Sequence, residues 1–137
     1  MKKRGFTLIE LILVIAIISI IISIAFIKGG FLESYKEKNE TNILIENINY
    51  AREKAMATGY DYNVDLIENT ILLRSNGVEE YIELKYLNFG RNKTKQFKFT
   101  SSGSVSGANT FIIYGNNNRE YELKIAAASA YCRLVKK

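Results

Sequence analysis

Between Leu11 and Ile27 the chain carries no charge, and a run of that kind has few places to go. With Phe6, Leu8 and Ile9 on its amino-terminal side, the apolar stretch covers residues 6–27. A helix rising about 1.5 Å per residue over that length crosses a ~30 Å hydrocarbon layer. Lys2, Lys3 and Arg4 precede the run and only Lys28 follows it closely. The positive-inside rule therefore keeps the leader, residues 1–5, cytoplasmic and puts the carboxy-terminal part outside. Three plain readings fit such a segment: a cleaved secretory signal, an uncleaved anchor and a buried core helix. Ser23-Ile24-Ala25 offers the first a small-x-small site, whereas length and uniform apolarity disfavour the third.

Glu10 sits awkwardly with the first two. A carboxylate costs about 2.5–3.5 kcal/mol at the centre of a membrane helix, and less near an end. Such a residue ordinarily has a partner, and with the leader removed no opposite charge lies near it in the sequence. Gly5-Phe6-Thr7-Leu8-Ile9-Glu10 resembles the prepilin processing motif of type IV pilins and type II secretion pseudopilins. The resemblance implies cleavage between Gly5 and Phe6 by a prepilin peptidase and methylation of the new Phe6 amine. It also implies that Glu10 pairs with the terminal ammonium of a neighbouring subunit, two charges that are less costly in lipid together than apart. Many members of that family carry a proline in the apolar helix; this chain has none, and Gly29-Gly30 is its nearest flexible point.

Composition narrows the alternatives. The formal charge is +5, but Lys2, Lys3 and Arg4 supply three of those charges, so a chain without its leader is close to neutral and does not attract nucleic acid by bulk charge. There is no histidine, which removes histidine acid–base catalysis and the common zinc sites. Cys132 is the single cysteine; it makes no intrachain disulfide and reads as a small buried residue on a strand, with a reactive thiol as the alternative. No nucleophile stands with a base and an orienting group, so the chain does not read as an enzyme, and no cofactor or metal is expected.

Beyond the apolar run, residues 31–58 read as an amphipathic helix. Leu44, Ile48, Ala51 and Ala55 form a stripe, Glu37, Lys38, Glu40 and Asn47 lie on other faces, and Gly59 stops the helix. In residues 59–137 the period changes to two. Tyr60, Tyr62, Val64 and Leu66 alternate with Asp61, Asn63 and Asp65, and Asn76-Gly77 is a hairpin turn between strands at 70–74 and 78–84. Further strands are predicted at 96–100, 110–114, 119–125 and 131–135. The fold class is α+β: a long amino-terminal helix packed on one carboxy-terminal antiparallel sheet.

The second half resembles the GspH/FimT type of minor pseudopilin. Lys98-Phe99-Thr100-Ser101-Ser102-Gly103-Ser104 and Gly107-Ala108-Asn109-Thr110-Phe111-Ile112 match its Phe-x-x-x-Gly turn, small-residue loop and hairpin, and Ala51-Arg52-Glu53-Lys54-Ala55-Met56 matches the end of its helix. A terminal Gly-Arg-x-Arg of some relatives reads Ala130-Tyr131-Cys132-Arg133 here.

The resemblance implies a structural subunit, a minor pilin or pseudopilin, held in the cytoplasmic membrane by its lipid-embedded helix with its domain outside. A membrane platform protein and an assembly ATPase would draw it into a surface or periplasmic filament with other pilin subunits. Two other readings stand beside this one. Lys124, Arg133, Lys136 and Lys137 make a basic last hairpin that suits DNA contact in an uptake pilus, or a charged edge that discourages aggregation. The chain also reads as a simple anchored surface domain. Asp61-x-Asn63-x-Asp65 has the opening spacing of a calcium loop, but Leu66 replaces its glycine and strand alternation explains the polar residues.

Overall fold

The computed structural model describes residues 7–27, 30–90, 94–116, 119–126 and 131–137, and the side chains among them other than those of 25–27 and 31. The chain divides into two compact units, Met1–Glu33 and Ser34–Lys137. In the first, helix α1 spans Leu8–Ile27. Helix α2 is Gly30–Thr58. Of the glycine pair singled out above, Gly30 is helical and Gly29 lies outside the described residues.

Leu44, Ile48, Ala51 and Ala55 each have no exposed surface, as their spacing along α2 requires. Burying a side chain of the size of Leu44 or Ile48 contributes about 1.5–3 kcal/mol, which outweighs the weak helix propensity of so many asparagines. Gly59, at a φ of 73°, ends the helix by donating its amide to the Ala55 carbonyl at 3.1 Å.

The strands make two antiparallel sheets, where one was expected. β1 (Tyr62–Ile67), β2 (Thr70–Ser75), β3 (Val78–Glu83), β5 (Lys95–Phe99) and β6 (Val105–Ser106) form a five-stranded sheet in the order β3-β2-β1-β5-β6. β4 (Leu87–Asn88), β7 (Thr110–Gly115), β8 (Glu120–Ile125) and β9 (Cys132–Lys136) form a four-stranded sheet in the order β4-β7-β8-β9. Asn76 and Gly77 have φ of 46° and 77°, the positive pair that a two-residue hairpin needs, and they set Ser75 opposite Val78.

One apolar core joins α2 to both sheets. It contains Val64, Leu66, Ile71 and Leu73 of the first, Ile113 and Leu123 of the second, and the α2 stripe between Leu44 and Ala55. Phe97 packs edge-on against Phe99 at 5.7 Å and stacks on Phe111 at 5.9 Å, which ties β5 to β7. Asp65 departs from the predicted solvated face. It is 3% exposed and pairs with Arg74 on the neighbouring strand, because a carboxylate is buried only where a cation can meet it.

Gly115 shows how closely the second sheet is fitted. A Cβ there would lie 2.2 Å from Glu37 Oε1 and 2.9 Å from a ring carbon of Tyr121, so any side chain displaces a buried carboxylate from its partners. Gly115→Ala is expected to lower the unfolding free energy by about 1–3 kcal/mol, read from the denaturation midpoint. An unchanged midpoint would show that the site is looser than its geometry.

Candidate functional site

Helix α1 begins on a reciprocal pair. The Thr7 amide and hydroxyl donate to Glu10 Oε2 at 2.9 and 3.0 Å, and the Glu10 amide donates to Thr7 Oγ at 3.3 Å. This is a capping box, Thr-x-x-Glu, which satisfies orphan amides at the helix start. Glu10 is therefore not without a partner, as the charge count suggested: its own first turn holds it, and no cation reaches it among the described residues. The Thr7-x-x-Glu10 spacing was there to be read, and Thr7 is the residue that reasoning about charge alone missed. Gly5 and Phe6 lie outside the described residues.

As far as Ile24, the rest of α1 presents apolar surface all round. Leu8 is 77% exposed, Ile9 74% and Ile21 61%. Its two serines turn inward on their own helix: Ser19 Oγ donates to the Ile15 carbonyl at 2.8 Å, and Ser23 Oγ to the Ser19 carbonyl at 2.7 Å. Neither hydroxyl is left unpaired against an apolar environment. Among the described residues no helix is long and apolar enough to cross a membrane; in the sequence the run goes on through Ala25, Phe26 and Ile27, whose side chains lie outside that description.

The family model for the prokaryotic N-terminal methylation motif matches residues 1–26, a span that takes in Gly5, Phe6, Glu10 and most of α1. Residues 1–26 thus carry a prepilin-type methylation motif. Its fold is similar to that of the minor pseudopilin EpsH from the type 2 secretion system of Vibrio cholerae, with a TM-score of 0.51 over 74% of this chain and 97% of that one. Identity between the two is 17%, so the likeness is one of fold. No curated protein matches the sequence.

The other residues of interest in this pilin-like chain do not gather into one site. β9 is an edge strand, but its cations are divided. Lys124 lies opposite Arg133 on the face away from the core, and Lys124 pairs with Glu122 at 2.9 Å. Lys137 reaches Glu120 at 3.4 Å, and Lys136 lies opposite Tyr121. Two of the four cations are thus matched by carboxylates of β8, and no continuous basic stripe for a phosphate backbone results. The two carboxylates of the calcium-like spacing are likewise occupied. Asp61 meets Lys98 at 2.8 Å, and that contact holds its carboxyl below the usual range, while Asp65 is turned to Arg74.

Two glutamates assigned to the polar faces of α2 are instead buried, Glu37 at 1% exposure and Glu40 at 8%. Extending the Leu44 stripe backward by four and by seven residues reaches both, so periodicity held the signal and side-chain polarity masked it. Glu37 accepts from the Tyr121 hydroxyl and, at 3.2 Å, from Arg119; burial, then the bond to Glu37, pushes the Tyr121 hydroxyl up to about 12. Glu40 accepts the amides of Lys85, Tyr86 and Leu87 at 2.7, 2.7 and 3.0 Å. These are the amides of the segment that leaves the first sheet to enter the second, where ladder partners are missing. The two acids clamp α2 to the four-stranded sheet.

Cys132 is buried and free, and burial pushes its thiol up to about 11. Burial disfavours the charged form, so at pH 8 only roughly a thousandth of it is thiolate. Ellman's reagent is expected to react at least about a hundredfold more slowly with the folded chain at pH 8 than with the chain in denaturant. Rapid stoichiometric reaction of the folded chain would contradict this placement.

Proposed function

We propose that this chain is a structural subunit, a minor pilin or pseudopilin, of a type IV pilus or a type II secretion-like filament. A prepilin peptidase cuts it between Gly5 and Phe6. Residues 6–27 then anchor it in the cytoplasmic membrane with its domain outside, until a platform protein and the assembly machinery draw it into the filament. The observation that carries this reading is the methylation motif over residues 1–26, joined to an apolar helix whose one charged side chain is Glu10. The pilin-like fold, shared with a minor pseudopilin, supports it.

The physical logic lies in two steps. In the membrane, the capping box gives the Glu10 carboxylate donors within its own turn and lowers the cost of burying it. In the filament, the α1 surfaces lose their lipid neighbours and pack on one another. There the terminal ammonium of a neighbouring subunit, Phe6 in a second copy, supplies the opposite charge and fixes the axial register. A charge in an apolar bundle is strongly destabilising when its partner is removed, so the pair discriminates between registers as well as joining copies.

Glu10→Gln keeps the side chain's shape and most of its hydrogen bonding to Thr7 but removes the charge. It is expected to leave membrane insertion unchanged and to reduce incorporation into filaments by tenfold or more, on the order of the loss from unpairing a buried charge. Membrane fractionation and filament shearing measure the two. Normal incorporation of the variant would contradict the assembly role of Glu10.

A further inference from the structure

The two sheets end on edges of opposite sign. β3, the outer strand of the five-stranded sheet, reads Val78-Glu79-Glu80-Tyr81-Ile82-Glu83, with Val78 and Tyr81 exposed at 58% and 65%. None of its three glutamates makes an ion pair among the described residues; Glu79 accepts from the Tyr81 hydroxyl, Glu80 from Tyr50 and Glu83 from Asn69. β9, the outer strand of the other sheet, carries Arg133 and Lys136. Both are exposed, and among the described residues neither is ion-paired. Between β9 and α2 runs a groove of about 380 Å³, lined by Ile45, Cys132 and Leu134 with Tyr131, Arg133 and Lys136 at its sides.

Edge charges commonly keep strands apart, but they do so when like meets like. An acidic edge and a basic edge on one chain attract when copies meet head to tail. The backbone allows it as well. The two-residue turn makes Ser75 and Val78 a hydrogen-bonded pair, and the alternation that follows turns the free N–H and C=O groups of Glu79, Tyr81 and Glu83 outward. On β9, the bonds from the Ala126 amide to the Tyr131 carbonyl and from the Lys137 amide to the Glu120 carbonyl leave Cys132, Leu134 and Lys136 outward by the same alternation.

We propose that β3 of one copy adds antiparallel to β9 of a second copy of this chain, with Glu79 opposite Lys136, Tyr81 opposite Leu134 and Glu83 opposite Cys132. In that register every outward-facing pair of backbone groups meets its match. The exposed Tyr81 ring enters the groove beside Ile45 and Leu134, and Glu79 meets the unpaired Lys136. On the opposite face Arg133 comes diagonal to Glu80. The contact is heterologous: each copy uses one edge and leaves its other edge free, which generates an open chain rather than a closed dimer. The purpose of the contact rests on the filament reading above; its existence does not.

Zero-length carbodiimide coupling of the unmodified full-length chain in membranes, with heavy-nitrogen-labelled and unlabelled copies mixed, tests this directly. Coupling condenses a neighbouring carboxylate and amine to an amide. The expected product is a mixed-label peptide joining Glu79 to Lys136. The intrachain Glu122–Lys124 and Glu120–Lys137 pairs serve as coupling controls. Tyr81→Cys on one copy and Leu134→Cys on another, both in a Cys132→Ser background, should form a disulfide on mild oxidation, since hydrogen-bonded strand partners lie about 5.5 Å apart at Cα. Lys136→Glu on the second copy should reduce that disulfide about tenfold, and adding Glu79→Lys on the first should restore it.

Control couplings without the Glu79–Lys136 product, that product in same-label form only, or a disulfide indifferent to charge reversal would each overturn the edge pairing. Filaments that form normally without the cross-link would sink this inference and leave the filament reading standing. A cross-link in a chain that never enters filaments would do the reverse.

Discussion

An acid embedded near the start of a helix that is otherwise apolar sets the terms for the rest of this chain. An apolar run of leucine and isoleucine alone would be indifferent to what stood beside it. On the proposed reading Glu10 makes it selective, because a carboxylate in an apolar environment is tolerable only where donors or a cation surround it. Thr7 supplies donors locally, through its amide and hydroxyl, but not charge. The capping box therefore stabilises the start of the helix and leaves a net negative charge that a cation can neutralise. On the proposed reading that cation is a chain end created by cleavage, so processing and assembly are joined through one electrostatic pair.

The domain from Ser34 onward applies the same chemistry for a different end. Glu37 and Glu40 are buried on the apolar stripe of α2, and each accepts hydrogen bonds from donors of the four-stranded sheet or its approach. Apolar packing alone would hold α2 against both sheets with some latitude along its axis. Two carboxylates aimed at fixed donors remove that latitude, as hydrogen-bonded buried polar groups do. Gly115 leaves the space that one of them needs. Of the four edge strands, β3 is acidic and β9 basic, and their opposite signs give a reason why copies would meet in a single direction.

Much of this was legible in the sequence, and the failures have physical causes. The α2 stripe and its glycine stop follow from a 3.6-residue period, and the Asn76-Gly77 hairpin from a turn that requires two positive φ values. The methylation motif and the long apolar run were visible because both are contiguous. The division into two sheets was not. β4 and β6 are two residues long, too short for a period of two to register, and β4 is where the chain changes sheet. The burial of Glu37, Glu40 and Asp65 was hidden for a related reason: polarity predicts exposure unless the partner is known, and Tyr121, Arg74 and the amides after Leu84 are distant in sequence or carry no side-chain signal. The basic hairpin misled in the opposite direction, since counting cations on β8 and β9 passed over the glutamates that alternate with them on β8.

On the proposed reading only an amine at Phe6 places a positive charge at the start of the apolar helix for a neighbouring Glu10 to meet, so where the mature chain begins decides whether the pair can form. Intact-mass and amino-terminal peptide mass spectrometry of the protein from its native host measures this directly. The predicted result is a chain starting at Phe6 and carrying one added methyl group on its terminal nitrogen. A chain that still starts at Met1, or one that starts at Phe26 after cleavage behind Ala25, would contradict it.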